Sequence, residues 1–256
     1  MPALKLNGET ISFESAGVGT PVLLLHSLGT HAGLWASTVA ALSDRFELVA
    51  MDCRGHGGSS NHAGFSVEAI AGDGLALMSA LGHERFHVVG CSMGGLFAVT
   101  LNAMEPARCL SLTLAGAYAT VGAAGPLRIA ATREILGTMP MAEFGRRYAD
   151  DTVISADIGI RALVADSIAA MTRDDYLQTL EAILTADVSA SLTDVAAPTL
   201  VLVGTEDRRA PPAVARGLAD AIPGAVLCEL QGAGHLAMLD EPAAFVRELE
   251  RFLPKA

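Results

Sequence analysis

The alternation of short apolar runs with stretches of helical periodicity most limits what this chain can fold into. The run Val22-Leu23-Leu24-Leu25 is continuous, with no polar residue at every second place. A strand with one face in water alternates. An unbroken run is buried on both faces, as in a parallel sheet covered by helices. Strand-like pieces fall near residues 4–6, 11–15, 22–25, 46–51, 86–90, 109–115, 199–203 and 226–230. Helical pieces fall at 35–42, 67–81, 96–104, 213–221 and 243–252, with Ser66 placed to cap the second and Pro106 just beyond the third. Asn7-Gly8 joins the first two strands as a hairpin turn. This order predicts an α/β fold, a mostly parallel eight-stranded sheet flanked by helices.

The middle breaks the rhythm. Residues 118–185 show helical periodicity and no strand, with the best helices at 127–136, 142–149, 160–171 and 174–184. Consecutive helices cannot all be crossovers between neighbouring strands. The expected organisation is therefore a core of residues 1–117 and 186–256 carrying a helical insertion at 118–185. With 51% hydrophobic and 18% charged residues, 256 residues can bury one large core; at 5% aromatic, that core is mostly Ala, Val and Leu. A net charge of −11 repels phosphate backbones and anionic lipid, which argues against nucleic acid and membrane partners. No apolar run approaches the roughly 18 residues of a membrane span, and the N-terminus lacks the pattern of a secretory signal. Cys53, Cys91, Cys109 and Cys228 form no CxxC pair and no metal knuckle; as free thiols they fit the cytoplasm.

Chemistry concentrates in Gly90-Cys91-Ser92-Met93-Gly94-Gly95, a G-x-S-x-G sequence between a buried strand and a helix. Such a turn is tight enough to demand glycines, and it presents the serine hydroxyl on a sharp bend before a helix N-terminus. A serine needs a base. Of seven histidines, His235 follows the last strand, at the sheet edge where parallel-strand loops converge. His26 is expected to brace its own loop. The base needs an acid to fix its tautomer. Asp207 follows the strand at 199–203, with Glu206 a close rival; one strand earlier, Ala115-Gly116-Ala117-Tyr118 offers no carboxylate. Ser92, Asp207 and His235 are thus the expected catalytic residues, with the N–H groups of Met93 and Leu28 as donors to an oxyanion. No metal or organic cofactor is implied.

His26-Ser27-Leu28-Gly29, Asp52-Cys53-Arg54-Gly55-His56-Gly57-Gly58-Ser59, the serine turn, Gly204-Thr205-Glu206-Asp207 and Gly234-His235 together resemble the α/β-hydrolase superfamily along essentially the whole chain. The resemblance implies that residues 118–185 are a helical cap, and that Arg54 and His56 brace a loop beside the site. Leu25-His26-Ser27-Leu28-Gly29-Thr30, with Trp35 soon after, resembles 3-oxoadipate enol-lactonases, which open a lactone in aromatic catabolism. The expected reaction is hydrolysis of a small-molecule ester or lactone, in a pocket shaped by the cap and Trp35. A substrate carboxylate would find a partner among Arg128, Arg133, Arg146, Arg147, Arg161 and Arg173. Perhydrolase or carbon–carbon bond hydrolase chemistry on the same triad, and a ligand receptor that keeps the fold, remain open readings.

Overall fold

The computed structural model describes residues 1–253. In chain order it runs β1 (Ala3–Leu6), β2 (Glu9–Ala16), β3 (Thr20–Leu25), α1 (Ala36–Leu42), β4 (Phe46–Met51), α2 (Val67–Ala80), β5 (Phe86–Cys91), α3 (Met93–Met104) and β6 (Cys109–Ala115). Four helices follow: α4 (Ala124–Thr138), α5 (Met141–Thr152), α6 (Ile158–Ala170) and α7 (Arg173–Thr185). The chain then completes β7 (Thr199–Gly204), α8 (Pro212–Ala221), β8 (Val226–Leu230), α9 (Ala237–Asp240) and α10 (Pro242–Phe252).

The eight strands form one sheet in the order β1-β2-β4-β3-β5-β6-β7-β8. Only the β1–β2 and β2–β4 pairings are antiparallel. The hairpin between β1 and β2 uses Asn7 and Gly8, both at positive φ, as a two-residue turn of this kind requires. Burial explains the unbroken apolar runs. All six residues of β5 and of β7 are buried, whereas β1 and β8, the two edges, are mostly half-buried or exposed. Ser66 caps α2 by accepting from the Ala69 N–H.

Two sequence expectations are corrected. Helix α3 starts at Met93, directly after Ser92, not at 96. Gly94 and Gly95 are weak helix formers, yet close packing requires them. A Cβ on Gly94 would collide with the Leu25 carbonyl oxygen, and one on Gly95 with the Ala117 side chain. Trp35 is 0% exposed and does not line the candidate pocket. It ends a 3-10 turn, Ala32–Trp35, and its ring lies 6.1 Å from that of Phe245 in α10. An indole releases the most apolar surface when fully covered, and here the core covers it. Among the described residues no helix is long and apolar enough to cross a membrane, and all four cysteines are free.

Candidate active site

The parallel strands finish together. Leu25 pairs with Gly90, Cys91 with Ala115, Ala115 with Leu202, and Gly204 with Leu230. Loops leaving β3, β5, β7 and β8 therefore meet along one edge. The chain also reverses direction across the sheet here, because β4 and β5 flank β3 on opposite sides. A crevice opens at such a point.

Ser92 occupies the bend between β5 and α3 with φ 53° and ψ −112°. Among the described residues only Asn7 shares a positive φ without being glycine. That conformation costs about 1–3 kcal/mol and persists only where its surroundings enforce it. They do so here. The Ser92 N–H donates to the Ala115 carbonyl at 2.8 Å and the Gly95 N–H to the Ser92 carbonyl at 2.9 Å. Gly90 lies too close to the Gly94 backbone to carry a side chain. Ser92 sits at the helix N-cap but makes no capping bond with its side chain, so its hydroxyl stays free, 7% exposed, in the wall of a cavity.

His235 lies in the same wall, 4% exposed, in the loop after β8. Its Nδ1 is 2.9 Å from Asp207 Oδ2. The other carboxylate oxygen, Oδ1, accepts the N–H groups of Arg209 at 2.8 Å and Ala210 at 2.9 Å, and Asp207 is only 3% exposed. A carboxylate only accepts, so this pair holds the ring proton on Nδ1 and leaves Nε2 as a base. Glu206, the sequence rival, is exposed. Gly116, at φ 55°, leaves room for the pair: a Cβ there would stand 3.2 Å from both Asp207 Oδ2 and His235 Nδ1. Among the described residues no hydrogen bond joins Ser92 Oγ to the His235 ring. Such contacts commonly tighten only when substrate is bound.

Two backbone N–H groups are the candidate oxyanion donors beside Ser92. Met93 begins α3, where helix N–H groups lack partners. Leu28 is aimed indirectly. The Ser27 carbonyl accepts the Thr30 N–H at 3.1 Å, the Thr30 hydroxyl at 2.8 Å and His26 Nδ1 at 2.8 Å. In a trans peptide the N–H points opposite to the carbonyl, so pinning Ser27 O fixes Leu28 N–H. His26 plays this part as a neutral ring. Its Nε2 accepts the Cys53 N–H at 2.9 Å, which leaves the proton on Nδ1, and burial pushes its pKa down to about 4. Behind it, Asp52 accepts the N–H groups of Ala32 and Gly58. Arg54 grips Asp73 through two nitrogens, at 2.6 and 2.9 Å. His56, held down near a pKa of about 3 by burial, bonds the Arg54 carbonyl. These groups brace the loop and do not reach the cavity.

The cavity, about 570 Å³, is roofed by side chains of α4, α5 and α7, among them Ile135, Phe144, Tyr148, Tyr176 and Leu180. Of the six arginines anticipated for a substrate carboxylate, only Arg128 and Arg147 line it. Arg133, Arg147 and Arg161 are tied to Glu181, Glu143 and Asp150, whereas Arg128 has no carboxylate partner among the described residues. The wall also contains Arg208 and Arg209, which sequence reasoning did not single out. Arg209 Nε donates to Thr152 Oγ1 at 2.7 Å and Nη2 to Asp151 Oδ2 at 3.1 Å, and its guanidinium stacks 4.0 Å above the Tyr148 ring. Adjacency to Asp207 was the only signal that could have marked these two.

Residues 22–248 match the model of the alpha/beta hydrolase family. The crystal structure of the enol-lactonase from Burkholderia xenovorans LB400 superposes with a TM-score of 0.91 at 31% identity, covering 98% of this chain and 99% of that one. The 3-oxoadipate enol-lactonase 1 of Acinetobacter baylyi is 27% identical over 96% of this chain and 94% of its own length. A provisionally named carbamate hydrolase, RutD of Pseudomonas savastanoi pv. phaseolicola, is 28% identical over 91% of this chain and 93% of its own.

Proposed function

The chain belongs to the alpha/beta hydrolase family, and we propose that it is a serine hydrolase that cleaves a small carboxylic ester or lactone through an acyl-enzyme on Ser92. The observation that carries this reading is the buried Asp207–His235 pair sharing one cavity with a strained, uncapped Ser92. Ser92 Oγ attacks the carbonyl carbon and His235 Nε2 takes its proton. The carbonyl oxygen becomes an oxyanion held by the N–H groups of Leu28 and Met93. Collapse breaks the ester C–O bond, and His235 returns the proton to the leaving alkoxide. In a lactone that alcohol stays tethered to the acyl group. Water, deprotonated by His235, then releases the acid and restores Ser92. Helices α4–α7 act as the cap over this chemistry. The four free cysteines support a place in the cytoplasm.

The wall of the cavity supports a narrower substrate class. The chain has a net charge of −11, yet four arginines and a single carboxylate, Asp151, line the cavity. An excess of cation in a concave site raises the local concentration of anions. A lactone carrying a carboxylate fits, and Arg128 is the free partner for it. This agrees with the activity for which the Burkholderia and Acinetobacter relatives are named. The test is a panel of esters and lactones, with and without a second carboxylate, run beside a carbamate, with Ser92→Ala as the blank. Multiple turnover that vanishes in Ser92→Ala and is fastest on the carboxylate-bearing lactone is expected. Binding without turnover would mark a receptor and overturn the proposal; turnover of the carbamate alone would overturn the substrate class.

A further inference from the structure

Asp240, the last residue of α9, holds two parts of the molecule with one carboxylate. Its Oδ2 accepts the N–H of Gly234, the residue before His235, at 2.9 Å. Its Oδ1 accepts the N–H groups of Ile154 and Ser155, in the segment joining α5 to α6, at 2.9 and 2.8 Å. The two parts also touch. A Cβ on Gly234 would lie 2.7 Å from Ile154 Cγ1, 3.0 Å from Asp240 Oδ2 and 3.2 Å from the Thr152 carbonyl oxygen. On the other triad loop, Arg209 reaches the adjoining end of α5 through Thr152 and Asp151. The α5–α6 junction is thus fastened both to the loop of the base and to the loop of the acid.

We propose that Asp240 is a positioning residue that makes the alignment of His235 conditional on the docking of α5 and α6. The inference rests on the hydrolase reading above. Carboxylate–amide bonds are charge-assisted and stronger than neutral ones. The two halves of the clamp differ in access to water. Ile154 is exposed and Ser155 half-buried, so water can replace bonds on that side more readily, whereas Gly234 and His235 are buried. Removing the carboxylate therefore falls chiefly on the histidine loop. Asparagine is no substitute, because its single carbonyl oxygen satisfies one side and turns its NH2 donors on the other.

The test uses Asp240→Ala and Asp240→Asn in the full chain, with active sites counted by stoichiometric fluorophosphonate labelling. On a small uncharged ester, kcat per labelled site is expected to fall about 10–100-fold, the scale of a misplacement near 1 Å, with KM close to wild type. A second readout needs no substrate: the downfield NMR resonance of the Nδ1 proton between His235 and Asp207, identified by its loss in His235→Ala. It is expected to shift or broaden in both variants. A wild-type kcat per site, a rise in KM alone, or an unmoved resonance overturns the inference. If the wild type turns over no substrate, the hydrolase reading fails and the resonance still decides the role of Asp240.

Discussion

Asp207→Asn replaces one oxygen by an NH2 group of nearly the same size, so its effect follows from hydrogen-bond directions. In the wild type Oδ1 receives two N–H groups, those of Arg209 and Ala210, and Oδ2 receives one from the His235 ring. The amide of the variant has a single acceptor. Placing its oxygen toward His235 forfeits both backbone bonds, each worth about 0.5–1.5 kcal/mol net, or about 1–3 kcal/mol together. At about 1.4 kcal/mol per decade, between about one molecule in five and one in 150 adopts that orientation. Donor–donor repulsion moves the figure toward the smaller fraction. In the majority the NH2 faces Nδ1, the ring proton moves to Nε2, and the base is gone. The tautomer alone thus lowers kcat about 5–150-fold. Losing the negative charge that stabilises the imidazolium lowers it further, toward the about 10⁴-fold seen for such a change in a Ser-His-Asp triad. The assay is kcat on a short-chain aryl ester, normalised by labelled active sites, with a thermal melt to show that the fold is kept. A kcat within about tenfold of wild type would refute the assignment of the acid, as would a larger loss in Glu206→Gln.

Two further outcomes are expected. Arg128→Ala should raise KM for a carboxylate-bearing lactone by about 10–100-fold, the worth of one hydrogen bond to a charged group, and leave a neutral ester unaffected; equal effects on both substrates would show that Arg128 only shapes the wall. Stability should fall in weak acid. Burial lowers the pKa of His26 to about 4, of His56 to about 3 and of His87 to about 4, from an ordinary value of 6.5. The fold prefers these rings neutral, so the unfolded chain binds their protons first. Their stabilisation is complete above pH 6.5 and is lost as the pH falls toward 4 and 3. Thermal melts at constant ionic strength should show Tm declining from about pH 6.5 downward, before ordinary carboxylates titrate; a Tm that stays flat to about pH 4.5 would contradict the buried neutral rings.

The inner strands were legible because burial on both faces leaves an apolar run, as in β5 and β7; the edge strands β1 and β8, half-buried or exposed, were legible only as short strand-like pieces. The turn at Asn7-Gly8 was legible because few residues tolerate that backbone. The start of α3 was not, since its glycines answer to the Leu25 carbonyl and the Ala117 side chain, neighbours that only the fold supplies. The candidate site divides in the same way. Serine, acid and histidine stand at strand ends, and strand ends can be read from local pattern. Trp35 was misplaced because its partner, Phe245, lies near the other end of the chain. Asp240 carries no local signature, and Arg208 and Arg209 carry none beyond their adjacency to Asp207. Their roles depend on where α5 and α6 land, and helical periodicity gives the existence of those helices but not their docking.

Residue 28 divides two properties that usually change together. It lines the cavity, while the direction of its N–H is fixed from behind, where His26 and Thr30 hold the Ser27 carbonyl. A different side chain at this position reshapes the space open to an acyl group without redirecting the donor. Under the proposed mechanism, selectivity can therefore drift over generations, or be redesigned, at the residue whose N–H would receive the oxyanion, while the direction of that donor is inherited through the two residues that clamp the peptide behind it.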